Sequence, residues 1–214
     1  RQMCIRDRER LALSFRHMND DPQNHIRVIP PLLRREVTLH EPYSGDYIHG
    51  YMVNAGFSEN VMKWHRQHPG IPLRFFWDKW EEEPVKRVDN TLSFYQLDDV
   101  EFLRQMAGCK AYASTAGFES VCEAMYLGKP ILMVPAHIEQ DCNAYDAEKS
   151  GAGIISSDFN LQQLLEFAKD YHPNRDFVYW VRGAEYTLLN LLESDSSNYQ
   201  QVLFNEMYLV EEFI

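Results

Sequence analysis

The sequence of 214 residues lacks the features that define several classes of protein. It has only four cysteines, none in a C-x-x-C pair or at zinc-finger spacing with histidine, which argues against a disulfide or zinc framework. No apolar run approaches the roughly 20 residues that a membrane-spanning helix needs. Neither G-x-G-x-x-G nor G-x-x-x-x-G-K-[ST] occurs, so the dinucleotide fingerprint and the P-loop are both absent. We therefore expect a cytoplasmic protein, in a reducing compartment, without a metal or a cofactor.

Positive charge is also in short supply. The 21 lysines and arginines are outnumbered by 32 aspartates and glutamates, which gives a formal net charge of −11. Such a chain repels phosphate backbones, so we expect no nucleic-acid partner. A small phosphorylated ligand is still compatible with this charge, because the N-terminus of a helix can bind one locally. Hydrophobic residues make up 45% of the chain, enough for a packed core.

The first residues do not resemble the rest of the chain. It begins at Arg1 rather than at a methionine, and "RQMCIRDR" is charged and without hydrophobic pattern. This stretch resembles a translated sequencing adapter, so residues 1–9 are expected to be a non-native head and are set aside. We expect the chain to be the C-terminal part of a longer protein.

From Tyr43 onward, apolar strand-like runs alternate with helix-like segments. This alternation predicts an α/β fold, a Rossmann-like parallel sheet with helices on both faces and the C-terminal helices packing back. In such sheets ligands bind beyond the carboxyl ends of the strands. The loops of interest therefore follow Val53, Leu97, Ser114 and Val134.

The domain organisation follows from the same alternation of segments. Residues 10–29 are read as the remnant of a preceding domain, and residues 30–42, which open with two prolines, as an interdomain connector. Residues 43–193 form the α/β domain, and residues 194–214 a C-terminal helical tail.

The most informative stretch runs from Ser114 to Pro135, "STAGFESVCEAMYLGKPILMVP". A turn of small residues follows a strand and opens a helix, so the first-turn N–H groups are accessible to a ligand and lie at the positive end of the helix dipole. On that helix, Glu119, Ser120 and Glu123 share a polar face, which is either solvated or turned to a ligand. The turn favours a ligand with a diphosphate.

The ordered set "STAGFESVCEA…GKPILMVPAHIEQDCNA…GAG", from Ser114 to Gly153, resembles the nucleotide-sugar-binding half of GT-B fold glycosyltransferases. The likeness is greatest to the group that contains the bacterial lipid-linked muropeptide N-acetylglucosaminyltransferase and the UDP-glucuronosyltransferases. By this resemblance the α/β domain binds a nucleotide sugar, and the domain before it binds the acceptor. Many relatives carry histidine where Thr115 stands and asparagine, glutamine or threonine where Glu119 stands.

The resemblance also implies roles for individual residues. The diphosphate would contact Thr115, Gly117 and Ser120, and the ribose hydroxyls would contact Glu123. The donor sugar would contact Glu139 and Gln140, and the base would contact Gln96 and Leu97. The first loop would approach the phosphates or the acceptor through Gly56. Carboxylates and amides suit hydroxyl groups because they accept, or both donate and accept, hydrogen bonds. The alternatives are a helix cap for Thr115, a solvated surface glutamate for Glu123, and a capped first turn for Glu139 and Gln140.

The function implied is transfer of a hexose or an N-acetylhexosamine from a nucleoside diphosphate sugar, with UDP favoured, to an unknown acceptor hydroxyl without a metal. The catalytic base of such enzymes lies in the N-terminal domain, so no catalytic residue can be named, and this chain alone should bind the donor without turnover. A nucleotide-sugar 2-epimerase and a non-catalytic nucleotide-sugar-binding module are the alternatives. A plain NAD-binding domain is disfavoured by the missing glycine pattern.

Overall fold

The computed structural model describes residues 10–79 and 83–192. The described residues divide into two compact units, one of residues 10–32 with 179–192 and one within residues 33–178. The predicted head at 1–9 and the predicted tail at 194–214 lie outside the described residues. The domain limits drawn from the sequence stay predictions.

In the first unit, two short strands pair in parallel. They are β1 (Arg10–Leu13) and β2 (Ile26–Ile29), in a register that sets Arg10 beside Ile26. The turn before β2 is held by the Asp21 carboxylate, which accepts hydrogen bonds from two backbone N–H groups. Residues 184–192 of this unit are helical.

The second unit is built on a seven-stranded sheet in the order β5-β6-β4-β3-β7-β8-β9. The strands are β3 (Ile48–Met52), β4 (Leu73–Trp77), β5 (Val85–Arg87), β6 (Leu92–Gln96), β7 (Ala111–Ser114), β8 (Ile131–Met133) and β9 (Gly153–Ile155). All of these pairs are parallel except β5 with β6. The sheet thus confirms the predicted α/β class.

Seven α-helices precede residue 183 among the described residues. They are α1 (Arg35–Thr38), α2 (Ser58–Gln67), α3 (Asp99–Gly108), α4 (Phe118–Tyr126), α5 (Ile138–Lys149), α6 (Leu161–Phe167) and α7 (Arg175–Arg182). Helix α1 lies inside residues 30–42, which the sequence predicted to be a connector.

Side chains of the central strand β3 alternate between the two faces of the sheet, as a strand requires. On one face, Ile48 belongs to a buried apolar cluster with Val61 of α2 and Leu161 of α6. On the other face, the ring of His49 lies 4.8 Å from the ring of Phe102 of α3. Helices therefore cover both faces, which explains why most residues of the parallel strands are apolar.

The charged segment after Trp77 contains an antiparallel edge strand, β5, whose residues are polar enough for an edge. Ser58 is the first residue of α2, and no side chain makes the cap hydrogen bond of that helix. Asp98 caps α3, and its carboxylate accepts from the N–H of Glu101 at 2.8 Å.

Candidate functional site

A cavity of about 580 Å³ opens at the carboxyl edge of the sheet. Its walls include Tyr51 near the end of β3, Leu97 after β6, Gly117 after β7 and Glu139 after β8. The chain runs outward in one direction from β3 through β4 to β6, and in the other from β7 through β8 to β9. The cavity thus lies at the point where the strand order reverses, which is the usual ligand site of an open α/β sheet.

The small-residue turn before α4 has a specific backbone conformation. Ala116 has a left-handed φ of 61°, which for a residue other than glycine costs on the order of 1–3 kcal/mol. The Ser114 hydroxyl accepts a hydrogen bond from the Ala116 N–H at 3.1 Å, and the Asn143 amide donates to the Ala116 carbonyl at 3.3 Å. The turn is therefore fixed from both sides, by β7 and by α5.

The first turn of α4 faces the cavity. Gly117 is its N-cap, no side chain caps the helix, and Phe118, Glu119 and Ser120 all contribute to the wall. The Ser120 hydroxyl donates to the Gly117 carbonyl at 3.2 Å, so it is held at the same edge. N–H groups without intrahelical partners at the positive end of a helix favour an anionic group.

Five of the predicted site residues lie together on this cavity. Gly117, Ser120 and Glu123 come from α4 and its cap, Leu97 comes from the loop after β6, and Glu139 from the first turn of α5. These residues come from three separate loops and helices, which the topology of the sheet brings to one edge. Their roles toward a ligand stay predictions.

Two further predicted residues are buried beside the cavity and are not among its described wall residues. Thr115 is fully buried, and its hydroxyl accepts a hydrogen bond from the Val53 N–H at 3.3 Å. The Gln140 side chain is 6% exposed, and its amide oxygen accepts from the Ala136 N–H at 2.9 Å. Both side chains hold neighbouring loops in place in this structure.

The last two predicted residues also lie outside the described wall. Gly56 belongs to a short 3-10 helix, and its N–H donates to the Asn54 side chain at 2.8 Å. Gln96 ends β6, and only the residue after it, Leu97, reaches the cavity.

The sequence did not indicate the partner of Glu123. The carboxylate is 2% exposed and accepts two parallel hydrogen bonds from Arg34, from Nε at 2.6 Å and from Nη2 at 2.8 Å. Nη1 of the same guanidinium donates to Asp99 at 3.0 Å. The pKa of Arg34 is raised, chiefly by its hydrogen bond to Glu123. A buried acid on the helix required a cation, but the sequence alone did not show which one.

The cavity wall carries four carboxylates and one guanidinium. The carboxylates are Asp99, Glu119, Glu123 and Glu139, and all but Glu123 are exposed to solvent. Arg34 is therefore the main source of positive charge on the described wall besides the helix dipole of α4. The position of Arg34 therefore determines where on this wall an anionic ligand is attracted.

Within residues 10–79 and 83–192, no helix is long and apolar enough to cross a bilayer. No group of three or more histidine, cysteine, aspartate or glutamate residues in that part of the chain is arranged to hold a metal ion.

Comparison with known proteins agrees with this geometry. The family model for glycosyl transferase family 1 matches residues 3–171. A putative UDP-glucuronosyltransferase of Caenorhabditis elegans, ugt-48, is 26% identical over 105 residues, which are 48% of this chain and 20% of that protein.

Solved glycosyltransferases share the fold at low identity. The glycotransferase of kitacinnamycin superposes with a TM-score of 0.61 at 14% identity, over 81% of this chain and 50% of that one. Arabidopsis thaliana UGT89C1, solved with UDP-L-rhamnose, gives a TM-score of 0.50 at 16% identity over 80% and 49%. The chain thus spans about half the length of these solved proteins.

Proposed function

The chain belongs to glycosyl transferase family 1, and from this we propose that it is the donor-binding part of an enzyme that transfers a sugar from a nucleoside diphosphate. UDP is the favoured nucleotide, because the nematode relative is named a UDP-glucuronosyltransferase and the Arabidopsis protein was solved with a UDP sugar. The transferred sugar is proposed to be a hexose or an N-acetylhexosamine, and the acceptor a hydroxyl group. A cytoplasmic location stays part of the same proposal.

One observation carries this proposal: the uncapped first turn of α4 opens into the cavity, with Glu123 one helical turn further along. The turn provides backbone donors and a positive dipole for the diphosphate. The carboxylate provides acceptors for the two hydroxyls of a ribose. Glu123 follows Ser120 by three residues, about one helical turn, which suits the neighbouring diphosphate and ribose of one nucleotide.

The chemistry proposed for these residues is stabilisation of the leaving group. Departure of the nucleoside diphosphate develops negative charge on its oxygens, and the N-terminus of α4 stabilises that charge without a metal. Ser120 adds a hydroxyl at the same edge. The base that deprotonates the acceptor is proposed to lie in the part of the protein that precedes the donor domain.

The proposal is tested by titration of the 214-residue chain with UDP in a calorimeter. We expect binding that Ser120→Ala weakens about threefold to tenfold, the typical effect of one hydrogen bond. Ser157→Ala, an exposed serine elsewhere, is the matched control and should bind as the unchanged chain does. A folded chain that binds neither UDP nor GDP nor dTDP at millimolar concentration would refute the proposal.

The alternatives are separated by turnover. A full-length protein that binds the donor and shows no transfer with any acceptor would be a binding module. One that returns an epimerised nucleotide sugar would be a 2-epimerase. Sugar transfer by the 214-residue chain alone would refute the proposed position of the catalytic base.

A further inference from the structure

The carboxylate that the proposed function gives to the ribose is already engaged. Arg34 contacts both oxygens of Glu123 in a planar, two-pronged pair, at 2.6 and 2.8 Å. Glu123 is 2% exposed, whereas the Arg34 side chain is 35% exposed. Both residues line the cavity, and the guanidinium occupies the two carboxylate oxygens that a ligand would use.

We infer that Arg34 and the ribose hydroxyls of the donor compete for the same carboxylate. The Nε–H and Nη2–H groups are two donors held side by side in one plane, as the two hydroxyls of a cis-diol are. A carboxylate can accept further hydrogen bonds, but Glu123 is only 2% exposed, which leaves little of it open to a ligand while Arg34 is in place. A ribose that binds Glu123 through both hydroxyls therefore has to displace the guanidinium.

The structure also provides a second partner for the displaced group. Nη1 of Arg34 already contacts Asp99 at 3.0 Å, and the Asp99 side chain is 80% exposed. The guanidinium can turn toward Asp99 and solvent without losing its counter-charge. In that position it stays on the cavity wall, where a diphosphate is attracted to it.

Arg34 precedes α1, in the segment that the sequence predicted to be an interdomain connector. Occupation of the donor site would thus be coupled to the conformation of this segment, since the same side chain cannot hold Glu123 and leave it to the ribose. The ligand recognised by this exchange is a nucleoside diphosphate with an intact ribose. This inference rests on the proposed function and adds a residue that sets its selectivity for the ribose.

The test is a thermodynamic cycle with two probes, UDP and 2′,3′-dideoxy-UDP. Any general effect of Arg34 on the diphosphate acts on both probes and cancels in the ratio of their dissociation constants. In the unchanged chain we expect the diol to improve affinity about threefold or less, because it must displace Arg34. In Arg34→Ala and Arg34→Lys the ratio should rise to about tenfold or more, as for hydrogen bonds to a charged group.

Arg34→Lys keeps the charge but cannot form the two-pronged pair, so it keeps the test usable if Arg34→Ala does not fold. Arg35→Ala, the exposed neighbour, is the matched control and should leave the ratio unchanged. A ratio that stays the same or falls in both Arg34 variants would overturn the competition while UDP binding upholds the proposed function. Absence of UDP binding in every folded variant would overturn both.

Discussion

The ion pair between Arg34 and Glu123 makes a quantitative prediction about stability. Its two hydrogen bonds, at 2.6 and 2.8 Å, end on a carboxylate that is 2% exposed. Loss of one partner from a fully buried pair typically lowers the free energy of unfolding by about 3–5 kcal/mol, because the other charge is left unpaired. Since the Arg34 side chain is 35% exposed, solvent can replace part of it. We therefore expect Arg34→Ala to lower the free energy of unfolding by about 2–3 kcal/mol.

The assay is urea unfolding followed by circular dichroism, and the chain supplies a control of the same geometry. Arg104 contacts both carboxylate oxygens of Glu101 at 2.7 and 2.6 Å, but these side chains are 56% and 34% exposed. An exposed pair contributes about 0.2–1 kcal/mol, so Arg104→Ala should lower the free energy of unfolding by no more than that. The difference between the two variants measures the effect of burial.

A double-mutant cycle distinguishes pairing from packing. Arg34→Ala leaves a buried carboxylate without a partner, whereas Arg34→Ala with Glu123→Ala removes that charge as well. The double variant should consequently be destabilised by less than the sum of the two single variants. If Arg34→Ala unfolds at the same urea concentration as Arg104→Ala, or if the effects simply add, the reasoning about the buried pair is wrong.

Three further predictions concern the framework of the site. Burial lowers the pKa of His49 to about 3. The unchanged chain should therefore lose up to about 1.4 kcal/mol of stability per pH unit as the pH falls from 6.5 toward 3. His49→Phe should reduce that loss, measured by urea unfolding at several pH values. The pKa of Asp89 is held well below its usual range, chiefly by the hydrogen bond from the Thr91 N–H. The stabilisation that it contributes is therefore present above about pH 4 and is lost in acid, and Asp89→Asn should make stability depend less on pH in that acid range. A Cβ on Gly153 would overlap the backbone carbonyl of Ile131, so Gly153→Ala should lower the free energy of unfolding by about 1–3 kcal/mol, against little change for Gly70→Ala, where the space is open.

Each of these has an outcome that contradicts it. An unchanged dependence of stability on pH in His49→Phe would show that the imidazole titrates normally. If the stability of Asp89→Asn falls as steeply in acid as that of the unchanged chain, the Asp89 hydrogen bonds are not the cause of the acid-induced loss. Equal stability of the Gly153 and Gly70 variants would mean that β9 can move away from β8.

The fold could be predicted because its determinants are local and periodic. Apolar runs such as the one at residues 73–77 are bounded by prolines, glycines or charges, and the intervening helices begin after capping residues such as Asp98. Alternation of the two types then leaves a parallel sheet as the arrangement that buries both kinds of apolar face. The edge strand β5 could not be found in this way, because an edge strand exposed to water carries charged residues as a loop does.

The site was predictable as a place and less so residue by residue. The carboxyl edge of the sheet and the small-residue turn define the cavity from the sequence, and Gly117, Ser120 and Glu123 lie on it. The orientation of a single side chain could not be predicted in the same way. Thr115 and Gln140 stand next to the cavity in sequence, yet each has a backbone N–H within reach that binds it more closely. The Thr115 contact joins residues 62 positions apart, and the Gln140 contact is with the loop just before its own helix, so neither orientation follows from the helical pattern alone.

The contact between Arg34 and Glu123 joins residues 89 positions apart. A glutamate on the polar face of a helix looks the same in sequence whether water, a ribose or an arginine satisfies it. Because Glu123 is buried, water cannot serve as its partner, and the desolvation penalty excludes an unpaired carboxylate there. The connector therefore has to supply a cation unless a ligand provides the hydrogen bonds instead. The same requirement that stabilises the fold thereby makes Arg34 the competitor of any ligand that uses this carboxylate. The strength of the pair, measured by unfolding, is then the free energy that the ribose hydroxyls must offset before they add to donor affinity.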